Sequence, residues 1–297
     1  MPERPRLALL FTTTGYEARE FVDAARRLGV EVVLGSDRCH VLADPWQDGA
    51  LPLRFERPEE AAARLVAHLR PHPPRAIVAI GDTPLLTAGL ASAALGLRAN
   101  PVAAVAASRN KFLMRQCLQR AGLRVPPFLC LPLATDPRTV QHRVPYPCVL
   151  KPLALSASQG VMRADTPAAF VAAFWRLRAL LQRSDLRQRQ GEAADAVLVE
   201  GFIPGVEVAL EGLLDAGRLH LLALFDKPDP LDGPFFAETL YVTPSRLPAA
   251  VQEALRRCAE AAAQALGLVQ GPVHAELRYN RDGPWLLELA PRAIGGL

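Results

Sequence analysis

Short apolar runs alternate with amphipathic stretches through the first hundred residues, and few folds accept that pattern. Arg6–Thr13 is apolar and ends in Thr-Thr-Thr-Gly, and Glu17–Leu28 then places Phe21, Ala24, Ala25 and Leu28 at helical spacing. Gly29 stops that helix, and Val30–Leu34 reads as a second strand. Pro58–Leu69 is a helix opened by proline, whose fixed φ suits a first turn. Ala76–Ile80 is a strand, Gly81-Asp82 a turn and Pro84–Leu95 a helix. Strands separated by helices pair in parallel, so residues 1–106 predict a small parallel α/β domain.

The pattern then changes. A helix is expected over Ser108–Ala121, with Ser108 as its N-cap and Gly122 as its stop. Val149-Leu150 is a buried strand running into Lys151-Pro152, followed by a serine-rich loop and the helix Pro167–Leu181. Ser184–Ala194 is polar and reads as a mobile loop. Strands then follow one another: Ala196–Glu200, Val206–Leu214, Arg218–Phe225 and Ala237–Val242. A long helix, Pro248–Leu266, precedes two last strands, Val273–Tyr279 and Trp285–Leu289. There is no internal repeat of fixed period.

A chain of 297 residues, half of them apolar, builds two domains or one large composite. The longest apolar stretches, such as Ala103–Ala107 and Val206–Ala209, fall far short of the ~20 residues that cross a bilayer. The N-terminus leads straight into a strand with no signal segment, so no membrane role is expected. Five scattered cysteines without a CxxC pair argue against a zinc cluster or disulfide framework, and a reducing cytoplasm fits best. These cysteines and the three tryptophans, Trp46, Trp175 and Trp285, read as structural. A net charge of +4 is too small and too dispersed to imply nucleic acid. The arginines between 176 and 189 read as a solvated helix face and loop. Only three of the 34 basic residues are lysines: Lys111, Lys151 and Lys227. A site that needs a compact ammonium against phosphate would retain lysine where arginine cannot replace it. Codon bias with three survivors is the plain alternative.

Three segments carry chemistry. Val149–Val161 delivers Lys151 at the end of a buried strand, and a loop of small residues follows, including Ser156, Ser158 and Gly160. Backbone amides in such a loop can reach phosphate oxygens, although an ordinary hairpin has the same look. Leu198–Val208 ends one strand at Glu200 and starts another that contains Glu207. His274-Ala275-Glu276-Leu277 and Leu287–Gly296 set Glu276 and Glu288 in adjacent strands, where antiparallel pairing brings both carboxylates to one face. Two such acids repel, and a divalent cation compensates them. Mg²⁺ takes one or two carboxylates plus phosphate oxygens.

From about Arg6 to the last residue the chain resembles the ATP-grasp superfamily, whose pattern is a strand lysine, a small-residue loop, a Glu-x-x-Ile/Leu hinge and a second Glu seven residues on. The resemblance implies an α/β architecture: a Rossmann-like pre-ATP-grasp domain over 1–106, then an α+β ATP-grasp fold over 107–297 with a lid at about 125–200. It implies that Lys111, Lys151 and the loop Ser156, Ser158 and Gly160 meet the phosphates of ATP. The backbone from Glu200 through Phe202 to Ile203 would read adenine, and Glu207 would hold the ribose. Glu276 and Glu288 would bind Mg²⁺, with Mn²⁺ as a substitute. Lys227 and Arg292 would stabilise the transferring phosphoryl group. The usual Asn two residues past the second acid is Ala290 here, which puts a third metal ligand in doubt. All three lysines thus fall at ATP positions.

The stretches Ser156–Val161 and Glu288–Gly296 resemble the L-amino acid ligase and carnosine-synthase-like branch. That implies a small-molecule carboxylate joined to an amine, with ADP and phosphate released. His274, Glu238, Gly295 and Gly296 would face substrate, although a strand histidine and a surface acid explain the first two equally well. A carboxylase-type or purine-pathway ligase is one alternative, and an ATP-binding regulatory protein without chemistry is the other. A homodimer is compatible with the pattern. The chain ends inside the loop expected to cradle substrate, so a domain cut short at its C-terminus is expected.

Overall fold

The computed structural model describes residues 4–15, 17–38 and 49–295. Cys39, Trp46 and Gly296 lie outside the described residues. Three four-stranded sheets organise the chain, each with its own buried cluster.

The first unit contains β1 (Arg6–Phe11), α1 (Ala18–Arg27), β2 (Glu31–Ser36), β3 (Leu51–Pro52), α2 (Pro58–Leu69), β4 (Ala76–Ala79) and α3 (Leu85–Ala94). Its sheet runs β3-β2-β1-β4 with every pairing parallel. β1 sits in the middle, with Ala8, Leu9 and Leu10 fully buried, which is why it is apolar on both faces.

Two helices lead out of this unit: α4 (Val102–Ser108) and α5 (Lys111–Arg120). Here the structure corrects the single helix expected from Ser108. Ser108 closes α4, its hydroxyl donating to the Val105 carbonyl, and Asn110 caps α5 by accepting from the Phe112 and Leu113 amides. A short amide that satisfies two first-turn donors holds the break between the helices.

The second sheet is antiparallel, in the order β5-β8-β6-β7. It contains β5 (Phe128–Pro132), β6 (Cys148–Pro152), β7 (Met162–Ala164) and β8 (Ala196–Gly201), with α6 (Pro137–Val140), α7 (Pro167–Leu181) and α8 (Ser184–Gln190) between them. α7 turns Phe170, Ala173, Phe174, Leu177 and Leu181 towards the sheet, an apolar stripe at helical spacing. The segment expected as a mobile loop is instead α8 followed by a 3₁₀ turn over Gly191–Asp195. Leu186 and Ala194 are buried in it and tie it down.

The third sheet, β10-β9-β11-β12, is also antiparallel: β9 (Val206–Asp215), β10 (Arg218–Lys227), β11 (Gly271–Asn280) and β12 (Gly283–Ala290). Helix α9 (Ala249–Leu266) lies on one face through Leu255, Ala259, Ala262, Ala263 and Leu266, an apolar stripe at helical spacing. Val208, Leu210, Val273, Ala275 and Leu277 point into that core, so Glu207, Glu211, His274, Glu276 and Arg278 point to the opposite face. The expected strand at Ala237–Val242 is not formed. Among the described residues it contributes one bridge, Asp226 to Val242.

Candidate active site

A cleft of about 850 Å³, open mouth included, separates the second sheet from the charged face of the third. One wall holds Lys151, the β6–β7 loop and the turn from Glu200 to Ile203. The other holds Glu207, Glu276, Glu288, Arg278 and His274, with Lys111 and Arg292 at the ends.

Glu276 pairs directly with Glu288 across β11 and β12, so both acids reach the cleft. A β-bulge makes this possible. Strict alternation from core-facing Leu286 would turn Glu288 away. The extra residue, Leu287, reverses the parity and returns Leu289 to the core. The Leu287 carbonyl, left out of the ladder, accepts from Arg115 Nη2 at 2.9 Å.

The pair does not stand bare. Glu288 accepts from Lys111 Nζ at 3.1 Å. Glu276 has Lys227 Nζ at 3.4 Å and His274 Nε2 at 3.7 Å. Burial alone would raise the Glu276 carboxyl. His274 and Lys227 outweigh it and hold the carboxyl well below the usual range. Burial likewise opposes charge on His274, yet Glu211, at 2.5 Å, and Glu276 lift the imidazole to about 9, so it is cationic at neutral pH.

Lys227, expected at the phosphates, is set against three carboxylates. The residue is 8% exposed, and its ammonium is enclosed by Glu238 at 2.5 Å, Glu207 at 3.0 Å and Glu276. Among the described residues these three acids are also the one cluster of three or more ligating side chains with their oxygens close together, and the ammonium already sits among them. Glu207 is gripped on its other oxygen by Arg278 at 2.8 Å, and Arg278 Nη1 donates to the Ile203 carbonyl at 2.6 Å. Tyr241 donates to Glu238 at 2.5 Å.

Behind the turn, Glu200 is almost completely buried. Arg115 binds it through Nε at 2.8 Å and Nη2 at 3.3 Å, and Lys151 makes an ion pair with the same carboxylate. Burial raises this acid, but Arg115 and Lys151 bring it down to about 2. Phe202 lies under the guanidinium of Arg163, 4.1 Å from the ring centre, with Arg278 at 5.0 Å. In the β6–β7 loop, Ala157, Ser158 and Gly160 have φ of 54°, 52° and 76°. Such left-handed turns point backbone amides to one side, as anion nests do. At Gly160, with φ of 76°, a side chain would be strained and would sit 2.9 Å from Leu177 and Leu180, so glycine suits the position.

A second cavity opens beyond Arg292, between the third sheet and the first unit. It shares Ser156, Ala157, His274, Glu276 and Arg292 with the cleft. Glu238, Tyr241 and Gly295 line it from the C-terminal side, and Thr12, Glu17 and Asp82 from the first unit. Ala290 lies opposite His274 in the cleft wall.

Of the residues singled out in the sequence, Lys111, Lys151, Ser156, Ser158, Glu200, Phe202, Ile203, Glu207, His274, Glu276, Glu288 and Arg292 line this cleft, whereas Gly160, Lys227, Glu238 and Gly295 do not. Sequence reasoning missed Arg115, Arg278, Glu211 and Asp82. Asp82 had a signal: Gly81-Asp82 follows a strand of an open parallel sheet, at the carboxyl edge where ligands bind. The bulge had one too, since Leu286-Leu287-Glu288-Leu289 breaks the alternation.

A cleft lined by cations and paired acids between two antiparallel sheets, below a parallel α/β unit, defines a nucleotide-handling class of protein. The description of the ATP-grasp domain matches residues 144–297, and that of the ATP-grasp N-terminal domain matches 22–98. The chain belongs to the ATP-grasp family. It is 31% identical over 305 residues to carnosine synthase 1 of Gallus gallus, covering 97% of this chain and 32% of that protein. It is 27% identical over 216 residues to alanine–anticapsin ligase of Bacillus subtilis (strain 168), covering 68% of this chain and 44% of the relative. The crystal structure of L-amino acid ligase from Bacillus licheniformis superposes with a TM-score of 0.82 at 28% identity, over 100% of this chain and 70% of that one. The chain spans about a third to under half of the length of these curated relatives. No described helix is long and apolar enough to cross a membrane.

Proposed function

We propose that this chain houses the acid-activating site of an ATP-dependent ligase that joins a small carboxylate to an amine, in the cytoplasm. The observation that carries this is the alignment of Glu276 with Glu288 on one face, opposite Lys151 and the β6–β7 loop, with Arg292 where the cleft meets the second cavity. The working division is a first unit over 1–106 and a grasp unit over 107–297 with the lid at about 125–200.

ATP fits the cleft with its phosphates between the loop and the acid pair. Lys151 and Lys111 supply compact charges to the phosphate oxygens, and Glu200 with Arg115 holds Lys151 in place. Glu276 and Glu288 suit Mg²⁺, or Mn²⁺ in its stead, because they offer two oxygens in register and leave the remaining positions to phosphate and water. The cation would neutralise charge on the phosphates. Glu207, fixed by Arg278, is placed for the ribose diol. A carboxylate oxygen in the second cavity attacks the γ-phosphorus, the bond to the β-phosphate oxygen breaks, and ADP departs. The amine nitrogen then attacks the acyl carbon, phosphate leaves, and the nitrogen gives up a proton. Arg292 stabilises the phosphoryl charge in the first step. The residues contribute mainly position and electrostatics.

Hydroxylamine is small enough to intercept an acyl phosphate without an acceptor pocket. Incubation of the chain with ATP, Mg²⁺, hydroxylamine and a panel of amino acids should give a hydroxamate and one equivalent of ADP. AMP and pyrophosphate in place of ADP and phosphate would overturn the mechanism.

A further inference from the structure

Asp82 stands at the turn after β4, on the first unit, 210 residues from the arginine it holds. Arg292 Nε donates to its Oδ1 at 2.7 Å, Nη2 donates to Oδ2 at 3.1 Å, and Nη1 donates to the Ala293 carbonyl at 2.9 Å. A guanidinium carries five N–H donors in one plane. Asp82 takes the side edge, Ala293 takes one more, and a donor remains on each of Nη1 and Nη2. That leftover pair belongs to a residue at the junction with no strand beneath it: Arg292 lines both cavities, yet it follows β12 in irregular backbone. Its side chain is only 12% exposed. A long side chain on irregular backbone keeps one orientation only if something outside its own segment fixes it, because rotamer freedom opposes the ordering. Asp82 is that fixture. Its charge reaches beyond Arg292 as well, since Lys111, Arg109 and the Ser156 side chain of the β6–β7 loop lie near enough to interact with it.

We propose that Asp82 is a positioning residue, through which the first unit sets the plane of Arg292 so that its two remaining N–H groups face the γ-phosphate. This rests on the ligase reading above. It gives the parallel α/β unit a part in phosphoryl transfer in addition to walling the second cavity.

The test reads nucleotide preference, so it needs no known substrate. Calorimetry with Mg²⁺ on the full chain compares ADP with AMPPNP, a non-hydrolysable triphosphate. Asp82→Asn keeps the shape and removes the charge. It should weaken AMPPNP about ten-fold and leave ADP within about two-fold, as expected for coupled charged neighbours. Arg292→Ala should do the same, and the double variant should be no worse than Arg292→Ala alone. Asp82→Glu retains a carboxylate and should recover most of the preference, and thermal melts identify any variant that has not folded. Equal losses for both nucleotides, additive losses in the double variant, or an unchanged AMPPNP affinity in Asp82→Asn would each overturn the proposal. Wild-type protein that binds neither nucleotide would instead overturn the ligase reading, and this proposal with it.

Discussion

Glu200 shows how much a single side chain can hold together. It neutralises Arg115, steadies Lys151 and sits at the turn that faces adenine in the proposed site. Its depressed carboxyl has a sign that can be checked. The folded state binds its proton only near pH 2, against an ordinary value of 4.5, so its stabilisation is complete above about 4.5 and is lost as pH falls towards 2. Urea midpoints of the wild type should drop across that window. Glu200→Gln should flatten the drop and cost about 3–5 kcal/mol at neutral pH, because Arg115 would be buried without its counter-charge. At Lys151, substitution by alanine should weaken ATP by about 1.5–3 kcal/mol in calorimetry, the scale of charge-assisted hydrogen bonds. Arginine at the same position should not restore it, since a planar guanidinium does not replace a compact ammonium beside Glu200. The lysine and the acid were legible in the sequence, because each ends a strand in a recognisable order. Their partners were not. Arg115 lies 85 residues from Glu200, and Arg278 lies 71 from Glu207. Local spacing carries no mark of pairs that only the tertiary fold brings together.

Elements with a sustained period were read closely. The helix expected over Pro58–Leu69 is α2, and that over Pro167–Leu181 is α7, because each puts a continuous apolar stripe against a sheet. Failures came where a local pattern lacked a partner or was too short to show a period. Ala237–Val242 carries β-forming side chains but meets one bridge only. α4 is seven residues of mostly alanine and valine, whose composition does not separate helix from buried strand. The β6–β7 loop is the element whose shape bears most directly on function. Gly160→Ala would need φ of +76° and would press into Leu177 and Leu180. The loop should then shift away from the cleft, raising KM for ATP at least about five-fold, with a loss of about 1–3 kcal/mol in urea denaturation from strain. An unchanged KM would show that the loop's backbone does not meet the phosphates.

Across the whole molecule, one amide adds to the links between the parallel unit and the third sheet. Asn100 accepts from the Val269 and Gln270 amides at 2.7 and 2.8 Å and donates to the Gln270 carbonyl at 2.7 Å. Arg98 adds an exposed ion pair to Asp215. Asn100→Ala leaves those backbone groups without their partner. It should cost about 1–3 kcal/mol, read as a lower urea midpoint, whereas Arg98→Ala should change stability by less than about 1 kcal/mol. The family was legible from motif order alone; the docking of the units was not, since Asn100 sits in no motif. The distribution of lysine has a consequence of a different kind. Lys111 is 7% exposed, Lys227 is 8% exposed, and the side chain of Lys151 is 12% exposed. The other 31 basic side chains are guanidinium groups, which amine-directed reagents leave alone at neutral pH. Lysine acylation of this chain therefore maps the proposed site and passes over its outer surface, so mass spectrometry of a labelled sample should read out whether the cleft is open or filled.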